Sequence, residues 1–235
     1  MESEQNPDTP KSLKDNIVGM LKEKSALKQQ VYDNTFEAFA VLKDVLHEEI
    51  NDVNEEIFGV DRRIKLDYRD RGKFEAEAKI AEDTLLFSMH SNIFEFDRDH
   101  MIWKTSYVQK EKYNSYCGII SIYNFLADSF KYNRANDLGY LIARIFINRE
   151  KHFFVEGKRQ MNYINNFSSQ IINEDEIRGI LEKAISYALE FDLLVPPYDS
   201  VKIASVEQIN TKIENGKLQT GKRLGFRFES DDILL

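Results

Sequence analysis

Proline punctuates only the two ends of this chain. The four prolines stand at positions 7, 10, 196 and 197, and none lies between Lys11 and Val195. Proline is excluded from helix interiors and central strands, so the stretch between reads as one continuous body of regular structure. No linker rich in Gly, Ser or Pro, no internal repeat and no low-complexity tract divides it. Residues 1–12 read as a polar tail, 13–57 as a helical arm, 58–195 as the body and 196–235 as a basic tail.

The arm carries the clearest periodicity. Leu13, Ile17, Met20, Lys24, Leu27, Val31, Thr35, Phe39, Leu42, Leu46, Ile50, Val53 and Ile57 recur in steps of three or four, the helical period. At about 1.5 Å per residue one helix would run roughly 65 Å. A compact body of this length is only about 45 Å across. The helix must therefore overhang the body or break, and Asp33-Asn34-Thr35, a run of good N-cap residues, is the expected break. The first half alternates fours and threes as heptads do, which predicts that Leu13, Ile17, Met20, Leu27 and Val31 face a partner helix.

Beyond the arm the period changes to two. Arg63–Arg69 alternates, and Lys73–Ile80 answers it with Phe74, Ala76, Ala78 and Ile80. Asp70-Arg71-Gly72 fits a three-residue hairpin loop between them. Further strands are expected at Thr84–His90, Ile93–Phe96 and Met101–Val108, and at Arg223–Phe228 in the tail. A second hairpin, Gly139–Asn148 with His152–Glu156, brings Arg144 opposite Glu156. Tyr116–Tyr132 fits either period and is read as strand. Glu174–Phe191 presents Ile177, Ile180, Leu181, Ala184, Ile185, Ala188 and Leu189 on one helical face, with Asn173 and Glu176 placed to cap its start reciprocally. Strands in series followed by a helix predict an α+β fold: a curved antiparallel sheet of about six to eight strands packed on the C-terminal helix.

Composition narrows the function classes. The net charge is −8, with 31% charged residues, and no apolar run approaches the roughly 20 residues of a membrane span. An acidic balance argues against general nucleic-acid binding, which draws its affinity from neutralised phosphates. The single cysteine, Cys117, excludes an intramolecular disulfide and a paired-cysteine zinc site; it reads as a small buried hydrophobe. The four histidines lack HExxH spacing. A polar opening without an apolar leader, together with the lone cysteine, predicts a reducing, cytoplasmic home.

Chemistry has few candidates. In the expected hairpin register Asp67 faces Glu75 and Lys65 faces Glu77, with Lys79 two along from Glu77. Asp67 followed by Glu77-Ala78-Lys79 has the order D…ExK and resembles the metal site of the PD-(D/E)xK nucleases. The resemblance covers thirteen residues. It implies that Asp67, Glu75 and Glu77 would hold Mg²⁺ or Mn²⁺ while Lys79 helps activate water. Leu66 stands where that motif often has proline, and a meander follows where those nucleases continue with a strand and helix. The competing reading is a solvated strand face neutralised by Lys65, Arg69 and Lys79. Gly216–Arg223 matches GxxxxGK but ends in Arg where a phosphate loop needs Ser or Thr, and reads instead as a Gly-bounded hairpin loop.

Charge is unevenly placed. Asp44 to Asp61 holds seven acids and no Lys or Arg, whereas Lys202 to Arg227 holds six basic residues against two acidic. Lys217, Lys222, Arg223 and Arg227 could meet an anionic partner. Trp103, Tyr107, Phe146 and Phe154 could line a cavity between sheet and helix. The leading functional reading is a cofactor-free interaction or assembly protein that self-associates, or docks on a protein partner, through its arm. The alternatives are a metal-dependent nuclease or phosphodiester hydrolase using Asp67, Glu75, Glu77 and Lys79, and a small-ligand sensor.

Overall fold

The computed structural model describes residues 12–135, 137–157, 167–192, 195 and 197–217. The arm is helical throughout. Helix α1 (Leu13–Met20) passes through a π turn at Leu21–Ser25 into α2 (Ala26–Glu56), which runs without a break. Ser12 and Asp15 close a reciprocal capping box at its start. The break expected at Asp33-Asn34-Thr35 is absent: α2 continues through it, and the Asn34 and Thr35 side chains bond elsewhere than to a helix start. Thr35 Oγ1 donates to the Val31 carbonyl one turn back, 2.7 Å away. Asn34 Nδ2 reaches out to the carbonyls of Asn148 and Arg149 at 3.1 and 2.8 Å.

Strands β1 (Asp67–Asp70), β2 (Glu75–Ile80), β3 (Asp83–Met89), β5 (Tyr116–Leu126), β6 (Tyr140–Ile147) and β7 (Phe153–Gly157) pair antiparallel in that order, and the two-residue β4 (Phe94–Glu95) pairs with β5. The seven-stranded sheet is not closed. Helix α5 (Glu174–Leu189) lies on the same sheet face as α2. Every member of the arm's stripe from Leu27 to Ile50 is buried there, with Leu46, Val31 and Thr35 fully so. Leu181 and Ala184 of α5 join the same core.

Three local expectations are corrected. The first strand begins at Asp67, because Arg62–Ile64 forms a 3-10 turn capped by Asp61. Met101–Val108 is a 3-10 turn (Met101–Lys104) and the start of α3 (Ser106–Lys110): His100 Nδ1 caps the turn and Thr105 Oγ1 the helix, so capping overrides the alternation. The ambiguous stretch is both things in succession, strand to Leu126 and then α4 (Ala127–Lys131). The remaining helices are α6 (Tyr198–Val201) and α7 (Val206–Lys217). The Asn173 cap on α5 stands, its Oδ1 accepting from Glu176 N at 2.9 Å; the Glu176 carboxylate accepts instead from Gln170.

A second core lies on the opposite sheet face. Ile102, Val108, Cys117, Phe146, Phe154 and Phe167 are buried there beside Phe96, Trp103 and Tyr107. The rings pack on one another, Phe146 on Phe154 at 4.8 Å and Phe154 on Phe167 at 5.1 Å between centroids. The aromatics expected to line a cavity therefore fill one another's space.

Candidate functional site

The arm divides at the π turn. From Leu27 onward its apolar face is spent on the sheet, so Leu27 (7% exposed) and Val31 (0%) belong to the protein's own core and not to a partner-facing surface. Before the turn nothing is buried, Leu13 being 77% exposed, Ile17 50% and Met20 61%, and the turn's first residue, Leu21, is 59% exposed. The same stripe thus continues past the edge of the body, and among the described residues no surface covers it. Lys24 and Lys28 pin the junction by lying over the Tyr116 ring, 5.4 and 5.7 Å from its centroid, in cation–π range. A π turn is an unusual piece of helix, enriched at functional sites.

The hairpin acids do not converge. The β1–β2 register pairs Asp67 with Lys79 and Arg69 with Glu77, while Glu75 lies opposite Ser88 of β3. Five residues, 71–75, separate the paired Asp70 and Ala76, with Arg71 N donating to Glu75 O at 3.1 Å, so the partner of Asp67 moves by four residues, an even number. The apolar residues keep their face, but Asp67 now meets Lys79 in place of Glu75, and Glu77 meets Arg69 in place of Lys65. Glu77 also faces Arg71 Nε at 3.2 Å. Among the described residues no group of three His, Cys, Asp or Glu side chains is placed to hold a metal ion.

The Arg144–Glu156 pair is present across β6 and β7, with Arg144 Nε donating to Glu156 Oε2 at 2.9 Å. Lys217 ends α7. Lys222, Arg223, Arg227, the expected final strand and most of the Gly216–Arg223 stretch lie outside the described residues.

Two groupings escaped the sequence reading. Tyr107 donates its phenol hydrogen to Glu150 at 2.5 Å and accepts from Asn148 Nδ2 at 2.9 Å. Burial, followed by that carboxylate, holds the phenol well above its ordinary pKa. Asn148 Oδ1 accepts from the backbone N–H groups of Glu150 and His152 at 2.9 and 3.0 Å, so the cluster locks the β6–β7 turn onto the aromatic core. The second grouping surrounds a cavity of about 360 Å³ between sheet and helix, lined by the β2–β3 turn (Ile80–Asp83), Leu126 and the end of α5 (Ala188, Leu189, Phe191, Asp192). Asp83, 8% exposed, is held there against its charge. Burial pushes its carboxyl from 3.8 up to about 7, opposed by a hydrogen bond with Asn124 and assisted by the neighbouring Glu82 charge. Both groupings bring together residues far apart in the chain, with no motif to announce them.

No helix among the described residues is long and apolar enough to cross a membrane. No family model, curated protein or solved structure was found to match this chain.

Proposed function

We propose that this is an interaction or assembly protein that self-associates, or docks on a partner helix, through its N-terminal arm. The observation that carries this reading is the abrupt change along one continuous stripe, from complete burial at Val31 to wide exposure at Leu13, Ile17 and Met20. A bare apolar helix face has a standing free-energy cost in water of about 25 cal/mol per Å², and an amphipathic helix recovers it by seating in a groove or against another helix. The lone buried cysteine fits a reducing, cytoplasmic setting.

The test is the mass in solution of the full chain and of Ile17→Glu, a substitution at an exposed site that leaves the core untouched. The expected result is a wild type heavier than 27.5 kDa and a variant closer to it, with equal thermal stability. An Ile17→Glu protein that associates like the wild type would remove the arm from the interface. A second reading, a small-ligand sensor, is favoured by the cavity beside Asp83, which sits between sheet and helix as such a site requires.

A further inference from the structure

The arm is not the only exposed apolar surface on the long helix. At its other end Phe58 is 92% exposed, Val60 57% and Ile64 40%. This end is an ordered turn: Phe58 N donates to Glu55 O at 3.2 Å and Val60 N to Ile57 O at 3.1 Å. Gly59, at φ +94, adopts the left-handed conformation that stops a helix. Ile57 turns back onto the core while Phe58 points away from it. A large aromatic held outward on a hydrogen-bonded turn is a preorganised anchor of the kind found at the centre of protein interfaces.

The two ends of the helix differ in charge. Asp44 to Asp61 carries seven acids and no Lys or Arg. Arg178 of α5 takes up Glu48 and Glu49, and Arg63 takes up Asp61, but among the described residues no basic side chain pairs with the exposed Asp52, Glu55 or Glu56. Carboxylates at a helix C-terminus also oppose its dipole, so this end has use for an incoming cation. The arm supplies cations. From Ser12 to Lys28 four lysines stand against two acids; Lys24 and Lys28 lie over Tyr116, while Lys14 and Lys22 flank the exposed stripe. Roughly 65 Å of helix separates the two ends, so an arm cannot reach the acidic end of its own molecule.

We infer that the arm of one copy docks on the Phe58 end of a second copy, joining molecules head to tail through Leu13, Ile17 and Met20 against Phe58 and Val60. This rests on the arm reading above and names its partner. Because the two patches are different surfaces, the contact is heterologous and builds rings or open chains, not a two-fold dimer.

The experiment measures solution mass against concentration for the full-length wild type, Ile17→Glu and Phe58→Ser, and for a mixture of the two variants. Both substitutions lie at exposed sites, and circular dichroism checks that the fold is kept. Each variant retains the surface the other has lost. The expected result is a wild type whose mass exceeds that of a dimer, two variants that are each monomeric alone, and a 1:1 heterodimer when they are mixed. If Phe58→Ser associates as the wild type does, the head-to-tail contact is wrong while the arm reading stands. The same result follows if Phe58 is covered by the chain's own basic stretch at Lys222, Arg223 and Arg227. If both variants are monomeric and the mixture does not assemble, the two surfaces belong to some other interface and the inference is overturned. If Ile17→Glu leaves association intact, or the wild type is monomeric throughout, the inference and self-association through the arm fall together.

Discussion

The side chain of Thr35 occupies the space that a side chain on Gly118 would need. A Cβ built on Gly118 would stand 2.1 Å from Thr35 Oγ1 and 2.8 Å from Thr35 Cβ and Cγ2, so the absence of a side chain on β5 is what lets α2 lie down on the sheet. Thr35 is fully buried, and its hydroxyl is tied to the Val31 carbonyl, so it has little room to yield.

Gly118→Ala should therefore destabilise the protein by about 1–3 kcal/mol, the usual cost of overfilling a packed core. Urea denaturation of the two proteins measures it. A variant of wild-type stability would mean that the helix can ride up from β5 without loss.

Leu181→Ala should cost about 2–5 kcal/mol, since Leu181 is fully buried in the core shared by α2, α5 and the sheet. The same denaturation series reads it, and a loss of a few tenths of a kcal/mol would place α5 elsewhere.

Asp83 sets a pH dependence. Its carboxyl titrates near 7 when folded and near 3.8 when unfolded, so between those values the native state holds the proton more tightly. By linkage, stability then falls as pH rises from about 4 to about 7 and stays low above that. Asp83→Asn should raise stability at pH 8, change it little at pH 4, and flatten the fall between. Midpoints of urea unfolding at both pH values check this, and a loss at pH 8 larger than that at pH 4 would show that the carboxylate is stabilised by a partner.

Glu77→Ala should cost about 1–2 kcal/mol, more than an exposed ion pair is worth. Glu77 and Arg71 are largely enclosed, with side chains 13% and 26% exposed, and the Arg71 guanidinium is further held 4.9 Å from the centre of the Phe130 ring. Melting curves with and without Mn²⁺ should coincide for both proteins. A Mn²⁺-dependent rise lost in the variant would revive the nuclease reading.

What could be read beforehand, and what could not, follows from the range of the interactions. The stripe from Leu27 to Ile50, the alternation of β2 and the Asn173 cap are local patterns, and each maps directly onto a buried face or a capped end. The Arg144–Glu156 pair needed only a short hairpin. The break at Asp33-Asn34-Thr35 was misjudged because Asn34 finds its partners at Asn148 and Arg149, more than a hundred residues away. The β1–β2 register differs from the expected one by four residues, and an even shift preserves the apolar face, leaving hydrophobic pattern unable to choose between the two. The arm's availability was half legible: periodicity showed the stripe, but only the extent of the sheet shows that it is covered from Leu27 and bare before Leu21.

The unbroken helix that serves as both the spine of the core and the arm has an evolutionary corollary. One residue inserted between Leu27 and Ile50 would swing everything before it about 100° around the axis and push it about 1.5 Å along. The stripe at Leu13, Ile17 and Met20 would then face a new direction relative to the sheet, however well the core repacked. The turn at Arg71–Phe74 carries no such constraint, since a surface loop absorbs added length locally. Descendants of this chain should vary freely in the length of their turns and hardly at all in the length of that helix.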